Sequence, residues 1–164
     1  MIERDIVEFN KNTVVPGPSK KGYGYTYYAK KNFRAGEIVV HGFGKIIDHQ
    51  TGHISVQIGI KKHFLPRKWT GRYWNHSCEP NCYIKTRKDG FPDWLAMKNI
   101  KKGEELTFSY YMTEYEWAKN AAEDAIVCGC ESRRCRKKIV SFAQLTKNEQ
   151  RKNRHYLSKY LLLF

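Results

Sequence analysis

The chain has 164 residues, 41% of them hydrophobic and 28% charged, a size and composition suited to one domain. No apolar run approaches the roughly 20 residues of a membrane span, and the acidic, mixed start MIERDIVEF does not read as a signal peptide. The net charge of +14 favours polyanionic surroundings, nucleic acid first, although a charge-rich helix with a solvated face has the same composition.

Residues 1–14 read as an N-terminal arm or edge strand, with IVEF as its short strand and VVPGPSKKG as a turn-rich exit. YGYTYYAKKNF reads as a strand running into a turn, and EIVVHGFGKII as a β-branched run broken by glycines. HISVQIGI (53–60), WLAMKNI (94–100) and EELTFSYY (104–111) continue the series, so the fold class is mainly β. AKKNFRAGEIVV (29–40) echoes AMKNIKKGEELTF (96–108); a common strand-turn-strand solution used twice explains it, since nothing else follows the period. Helical signal begins after residue 112. TEYEWAKNAAEDA (113–125) opens with Thr113 and Glu116 at capping-box spacing. Thr146 and Glu149 repeat that spacing ahead of a basic C-terminal helix, where Tyr156, Tyr160 and Leu163 recur at helical intervals. The terminal LLLF is long enough to pack on the core or a partner but too short to anchor the chain. Glu114 and Glu116 read as a candidate acidic surface patch.

Five cysteines, an odd number with no secretion signal ahead of them, argue against a disulfide framework and for thiolate ligands in a reducing compartment. Cys128, Cys130 and Cys135 form a dense C-x-C-x4-C cluster. Structural zinc takes four ligands in a tetrahedron, so one more is needed, and Cys78 or Cys82 could supply it. The basic residues from Arg133 to Lys138 would offset a four-thiolate charge. A catalytic thiol at Cys78 has only the nearby His76 in its favour, and sequence proximity is poor evidence for a catalytic pair.

Three blocks in order, KGYGYTYYAKKNFRAGE (21–37), RYWNHSCEPNC (72–82) and GEELTFSYY (103–111), resemble the SET-domain family of S-adenosylmethionine-dependent protein lysine methyltransferases. CGCESRRCRKKI (128–139) is similar to the cysteine cluster that follows this domain in many members, and the whole resembles small stand-alone members. The resemblance covers roughly residues 15 to 140. It implies a SET fold of small β-sheets with a pseudoknot, plus a zinc-bound post-SET segment and a C-terminal helix. The divisions read as 1–14 arm, 15–112 SET core, 113–140 connecting helix with the zinc segment, and 141–164 basic helix.

The resemblance also implies roles. Lys21, Gly22, Tyr23, Gly24, Arg72, Tyr73, Asn75 and His76 would bind S-adenosylmethionine, with His76 positioning rather than acting as a base. Tyr110 falls on the family's invariant tyrosine, and Phe108 would line the lysine channel. If 104–111 is one strand, Leu106, Phe108 and Tyr110 share a face and Ser109 points the other way. Cys78 becomes the fourth zinc ligand beside Cys128, Cys130 and Cys135, and Cys82 a core thiol. Gln57 and His63, in the variable insert, read as surface positions within reach of substrate. Ser109 departs from a common Asp and Lys137 from a common Gly; Phe108 resembles members that add more than one methyl. The expected partner is a protein presenting a lysine, histone or another basic protein, in a nucleic-acid context and away from membranes. The expected place is intracellular, nuclear in a eukaryotic host and otherwise cytoplasmic or a secreted effector. The alternative is a non-catalytic SET-like module that holds a protein or nucleic acid.

Overall fold

The computed structural model describes residues 1–21, 24–52, 54–116 and 126–164. A helix α1 (Glu3–Thr13) leads into strand β1 (Val14–Pro18), and β2 (Tyr25–Ala29) folds back antiparallel to it. Then come β3 (Ile38–His41), β4 (Gly44–Ile47), β5 (Val56–Gly59), β6 (Lys62–Pro66), β7 (Asn75–His76), β8 (Cys82–Thr86), β9 (Pro92–Ala96) and β10 (Glu105–Phe108). They form three small sheets among the described residues, ordered β1-β2-β10-β7, β3-β9-β8 and β4-β6-β5. The β7–β10 pairing is parallel, Thr107 opposite Asn75 and Phe108 opposite His76. Asn81 reinforces the crossing: its amide donates to Glu105 O and accepts from Thr107 N–H, at 2.8 and 2.9 Å.

The expected N-terminal edge strand is a helix. Its buried positions, Ile6, Asn10 and Thr13, fall on one helical face, but two of the three are polar, so no apolar 3.6-residue period marks it. Asn10 explains the polar choice. Its side chain accepts from His41 N–H and donates to His41 O, both at 2.8 Å, and donates to Trp69 O at 2.7 Å. One buried amide thus completes the edge of β3, where unpaired backbone groups would be costly.

The main core gathers Tyr27, Val39, Phe64, Trp74, Trp94, Leu106 and Phe108. Trp74 and Trp94 stack at 5.0 Å with 9° between planes. Gly71 sits against them at φ +105°, where an added Cβ would come within 2.5 Å of the Trp94 ring, so both conformation and space demand glycine. Cys82 is also wholly buried in this core.

The repeated turns prove to be partners of each other. Phe33 N–H donates to Ile100 O at 2.8 Å and Ile100 N–H to Phe33 O at 2.9 Å. Ala29 N–H reaches Glu104 O while Ala96 N–H reaches Glu37 O. Asn99 Oδ1 accepts from Ala35 N–H and Asn32 Oδ1 from Lys102 N–H. Gly36 and Gly103 each turn the chain at φ +86°. The echo is therefore a clasp with local two-fold character that ties β2 and β3 to β9 and β10.

Past β10 the chain makes a 3-10 turn at Tyr110–Met112, a second at Phe142–Gln144, and α2 (Lys147–Asn153). The basic C-terminal helix is shorter than expected: it yields to 3-10 turns at Arg154–Tyr156 and Lys159–Leu163, and Leu161 is buried while Leu163 is exposed. The Thr146–Glu149 capping box is present, and Glu149 also holds Arg136 at 2.5 Å, tying α2 to the cysteine segment. Residues 117–125, most of the expected connecting helix, lie outside the described residues. Thr113, read as its cap, instead lies with Oγ1 3.2 Å from Glu114 Oε1.

Candidate active site

Two cavities share a wall. The larger, about 180 Å³, is lined by Val56, Arg72, Trp74, Phe108, Tyr110 and Glu114 among others. The smaller, about 70 Å³, is bounded by Asn75, His76, Tyr110, Cys128, Cys130 and Ile139, and Tyr110 and Ile139 border both. The strand carrying Phe108 stops there, so Tyr110 does not continue its face: it opens the 3-10 turn, with its ring 5.2 Å from that of Phe108. Ser109 is wholly buried at the break.

The Tyr110 hydroxyl donates to Trp74 O at 3.2 Å. Burial, then the charge of Glu114, pushes its pKa up to about 12, so it stays a phenol. Tyr110 N–H donates to His76 Nδ1 at 3.3 Å, and His76 Nε2 lies 3.4 Å from Cys78 Sγ. Burial, and secondarily Arg136, holds His76 down at about 4, so its ring is neutral. With Nδ1 accepting, the ring proton sits on Nε2 and faces the sulfur. His76 thereby links the tyrosine turn to the cysteines.

The Sγ atoms of Cys78, Cys128, Cys130 and Cys135 all lie within 4.8 Å of one another, and Cys78 and Cys128 are 3.8 Å apart. Four sulfurs at about 2.3 Å from one ion stand about 3.8 Å apart, so the cluster fits tetrahedral zinc. The N–H groups of Cys78, Arg136 and Lys137 donate to Cys130, Cys78 and Cys135 sulfurs, each at 3.4 Å, which favours thiolates. Lys137, at the position where glycine is common in the family, has φ +62°. Cys82 is not in the cluster.

The remaining expected residues divide. Lys21 Nζ donates at 2.6 Å to the backbone oxygen of Cys130, a residue that borders the small cavity. Gly24 turns at φ +68° and accepts from Ser19 N–H, while Gly22 and Tyr23 lie outside the described residues. Arg72 borders the larger cavity, whereas Tyr73 packs on Tyr25 and Tyr27. Gln57 and His63 are not free surface residues. Gln57 accepts from Tyr115 N–H through Oε1 at 3.0 Å, and His63 is buried, which lowers its pKa.

Glu114 corrects another expectation. It is 5% exposed rather than part of a surface patch, and its carboxylate accepts from Gln57 N–H at 2.9 Å. Burial outweighs that hydrogen bond and pushes its pKa up to about 7. No local sequence signal marks this acid as a cavity residue, because the elements that bury it come from residues 54–57 and from the tail. Trp74 is the other residue missed: it lies inside the quoted motif, yet only the stacking on Trp94 reveals its place in the wall.

A family model described as SET domain matches residues 22–111, more than half of the chain. The chain belongs to the SET domain family. This SET domain is 29% identical over 143 residues to histone-lysine N-methyltransferase ASHH2 of Arabidopsis thaliana, covering 71% of the chain and 7% of that protein. It is 32% identical over 133 residues to histone-lysine N-methyltransferase trithorax of Drosophila virilis, covering 70% of the chain and 3% of the relative. The SET domain thus spans a small fraction of the curated relatives it matches. Its fold is also that of KRYPTONITE, solved with mCHH DNA, H3(1-15) peptide and SAH: the TM-score is 0.61 at 21% identity, over 77% of this chain and 29% of that one.

Proposed function

We propose that this SET domain transfers a methyl group from S-adenosylmethionine to the side-chain amine of a lysine in a protein substrate, a histone or another basic protein. The observation that carries the reading is the position of Tyr110 in the wall common to both cavities. The larger cavity, walled by Trp74, Phe108, Tyr110 and the aliphatic Val56 and Ile139, with Arg72 and Glu114 among its polar residues, suits a long aliphatic side chain ending in an amine. The smaller is bordered by the Asn75–His76 pair. Asn75 Nδ2 is buried there without a hydrogen-bond partner among the described residues, a donor suited to an acceptor on the methyl donor.

S-adenosylmethionine, when bound, supplies a methyl group activated by a positively charged sulfur. Asn75, His76, Lys21 and Gly24, with Gly22 and Tyr23 between them and Arg72 and Tyr73 alongside, are the proposed donor-binding set. A lysine ammonium with pKa near 10.4 must lose its proton to solvent water before attack, which at pH 7 costs about 4–5 kcal/mol. Trp74 and Phe108, set edge to face with centroids 6.0 Å apart, desolvate the amine and lower that cost. Glu114, in its ionised form, attracts the arriving ammonium. Tyr110, held protonated, orients the amine rather than removing its proton, and His76 holds the Tyr110 backbone in place. The four cysteines would hold zinc, which would cross-link the tail against the strand wall.

Titration of S-adenosylmethionine into the folded, zinc-loaded protein tests donor binding, and labelled donor with host lysate, read by mass spectrometry, identifies the modified lysine. Absence of donor binding would leave the non-catalytic module as the reading. A histone substrate would place the activity in the nucleus of a eukaryotic host. Among the described residues no helix is long and apolar enough to cross a membrane.

A further inference from the structure

A basic enzyme and a basic substrate would repel each other, and a groove lies between β8 and the C-terminal segment. This groove, about 560 Å³, takes Tyr83 and Lys85 from β8 and Arg151, Lys152, Arg154 and Lys159 from the facing wall. His155 also borders it, and no carboxylate does. The cations are exposed, and none forms an ion pair among the described residues. Other arginines of the chain do pair: Arg67 with Glu3, Arg87 with Asp93, Arg134 with Glu79 and Arg136 with Glu149. The groove at Asp48, Lys61 and Glu116 carries both signs. Five like charges around one concavity repel one another and focus a positive potential into it. Tyr83 packs edge-on to Tyr156 at 5.2 Å and lies 6.3 Å from the His155 ring, so aromatic surface interleaves with the cations.

We propose that this groove binds the sugar-phosphate backbone of a nucleic acid, so that the enzyme meets a basic substrate protein while both are held on the same polyanion. Cations match the phosphates, and the aromatic wall offers the flat apolar contact that sugars and bases accept and acidic peptides do not use. The binding site stands on the groove alone; its use in substrate choice rests on the methyl-transfer reading.

The test compares two variants of equal net charge. Arg151→Gln/Lys152→Gln/Arg154→Gln empties the groove of three cations, and Lys45→Gln/Lys61→Gln/Lys62→Gln removes three from the β4-β6-β5 sheet and its β5–β6 turn. Affinity for a short labelled DNA duplex is measured between about 50 and 200 mM salt. Each lost phosphate contact lowers the slope of log affinity against log salt by about 1, so the groove variant should lose about three from its slope. It should also bind at least tenfold more weakly, with the sheet variant near wild type. Equal losses in both variants, or none in the groove variant, would overturn the proposal. So would a polyglutamate peptide that displaces the duplex at matched charge, which would make an acidic protein the occupant. Donor titration on the same variants checks the fold and stands apart: wild-type duplex binding without donor binding would refute the methyl-transfer reading and leave the groove intact. With both present, the groove variant should keep its rate on a free peptide and lose rate on the same peptide carried by a DNA-bound protein.

Discussion

The two walls of the candidate site are built by different physics. The strand wall, residues 72–76 and 105–110, is held by the β7–β10 ladder and by the stacked tryptophans behind it. The tail wall, residues 126–139, forms one isolated bridge among the described residues, between Val127 and Lys138; the four-sulfur cluster with its N–H donors gathers it, and the ion pairs of Arg134 with Glu79 and Arg136 with Glu149 tie its rim to the rest of the chain. A wall made by a core tolerates the loss of one contact. A wall gathered by one four-coordinate knot would not, because every ligand would be shared by the same zinc ion that the cysteines are proposed to hold.

Breaking that knot should have the largest effect. Cys78→Ser should drop zinc content from one equivalent to none by elemental analysis and expose residues 126–139 to hydrogen exchange, while β2 and β9 stay protected. Cys82→Ala, a core thiol outside the knot, should keep the zinc and lower stability by about 1–2 kcal/mol. Full zinc content in Cys78→Ser would mean that the sulfur geometry is not the ligand set.

The strand wall is probed next. Tyr110→Phe should cut turnover by about 100-fold or more and leave donor affinity within a few-fold, because only an orienting hydroxyl is lost. Unchanged turnover would remove the hydroxyl from the chemistry.

Glu114 belongs to the strand side but is buried by residues from both. Its pKa rises from 4.5 unfolded to about 7 folded, so between those values the folded state binds the extra proton and stability falls as pH rises. The loss amounts to about 3 kcal/mol over that window. Glu114→Gln should abolish it, and the difference between the two unfolding curves against pH isolates this group from all others. Parallel curves would place the carboxylate in water.

The smallest effect lies at the knot's rim. Lys137→Gly should stabilise the protein by up to about 1 kcal/mol by relieving a left-handed residue, set against the entropy glycine adds to the unfolded chain. A gain in midpoint denaturant with unchanged zinc would show that the tail wall tolerates local strain.

Strands, turn glycines, the Thr146 cap and the cysteine cluster were legible because each depends on residues close in sequence: alternation, φ preference and ligand spacing act over a few positions. The paired turns at 29–37 and 96–104 show where that ends. Their likeness can be read from residue types, but that they clasp each other depends on sheets formed by residues far apart. The helix at 3–13 hid because its buried face is two-thirds polar, and Asn10 gains its partners from His41 of β3 and from Trp69, both far away in sequence. Tyr110 leaves the strand line since the chain must turn beneath Trp74, and Glu114 is buried by segments the local sequence does not contain. The sequence by itself determined the family, the β-rich fold and the residue types of the site. Tertiary structure alone decided which of them share a cavity, which acid is buried and which cations face one groove, because burial and electrostatics depend on distances through space.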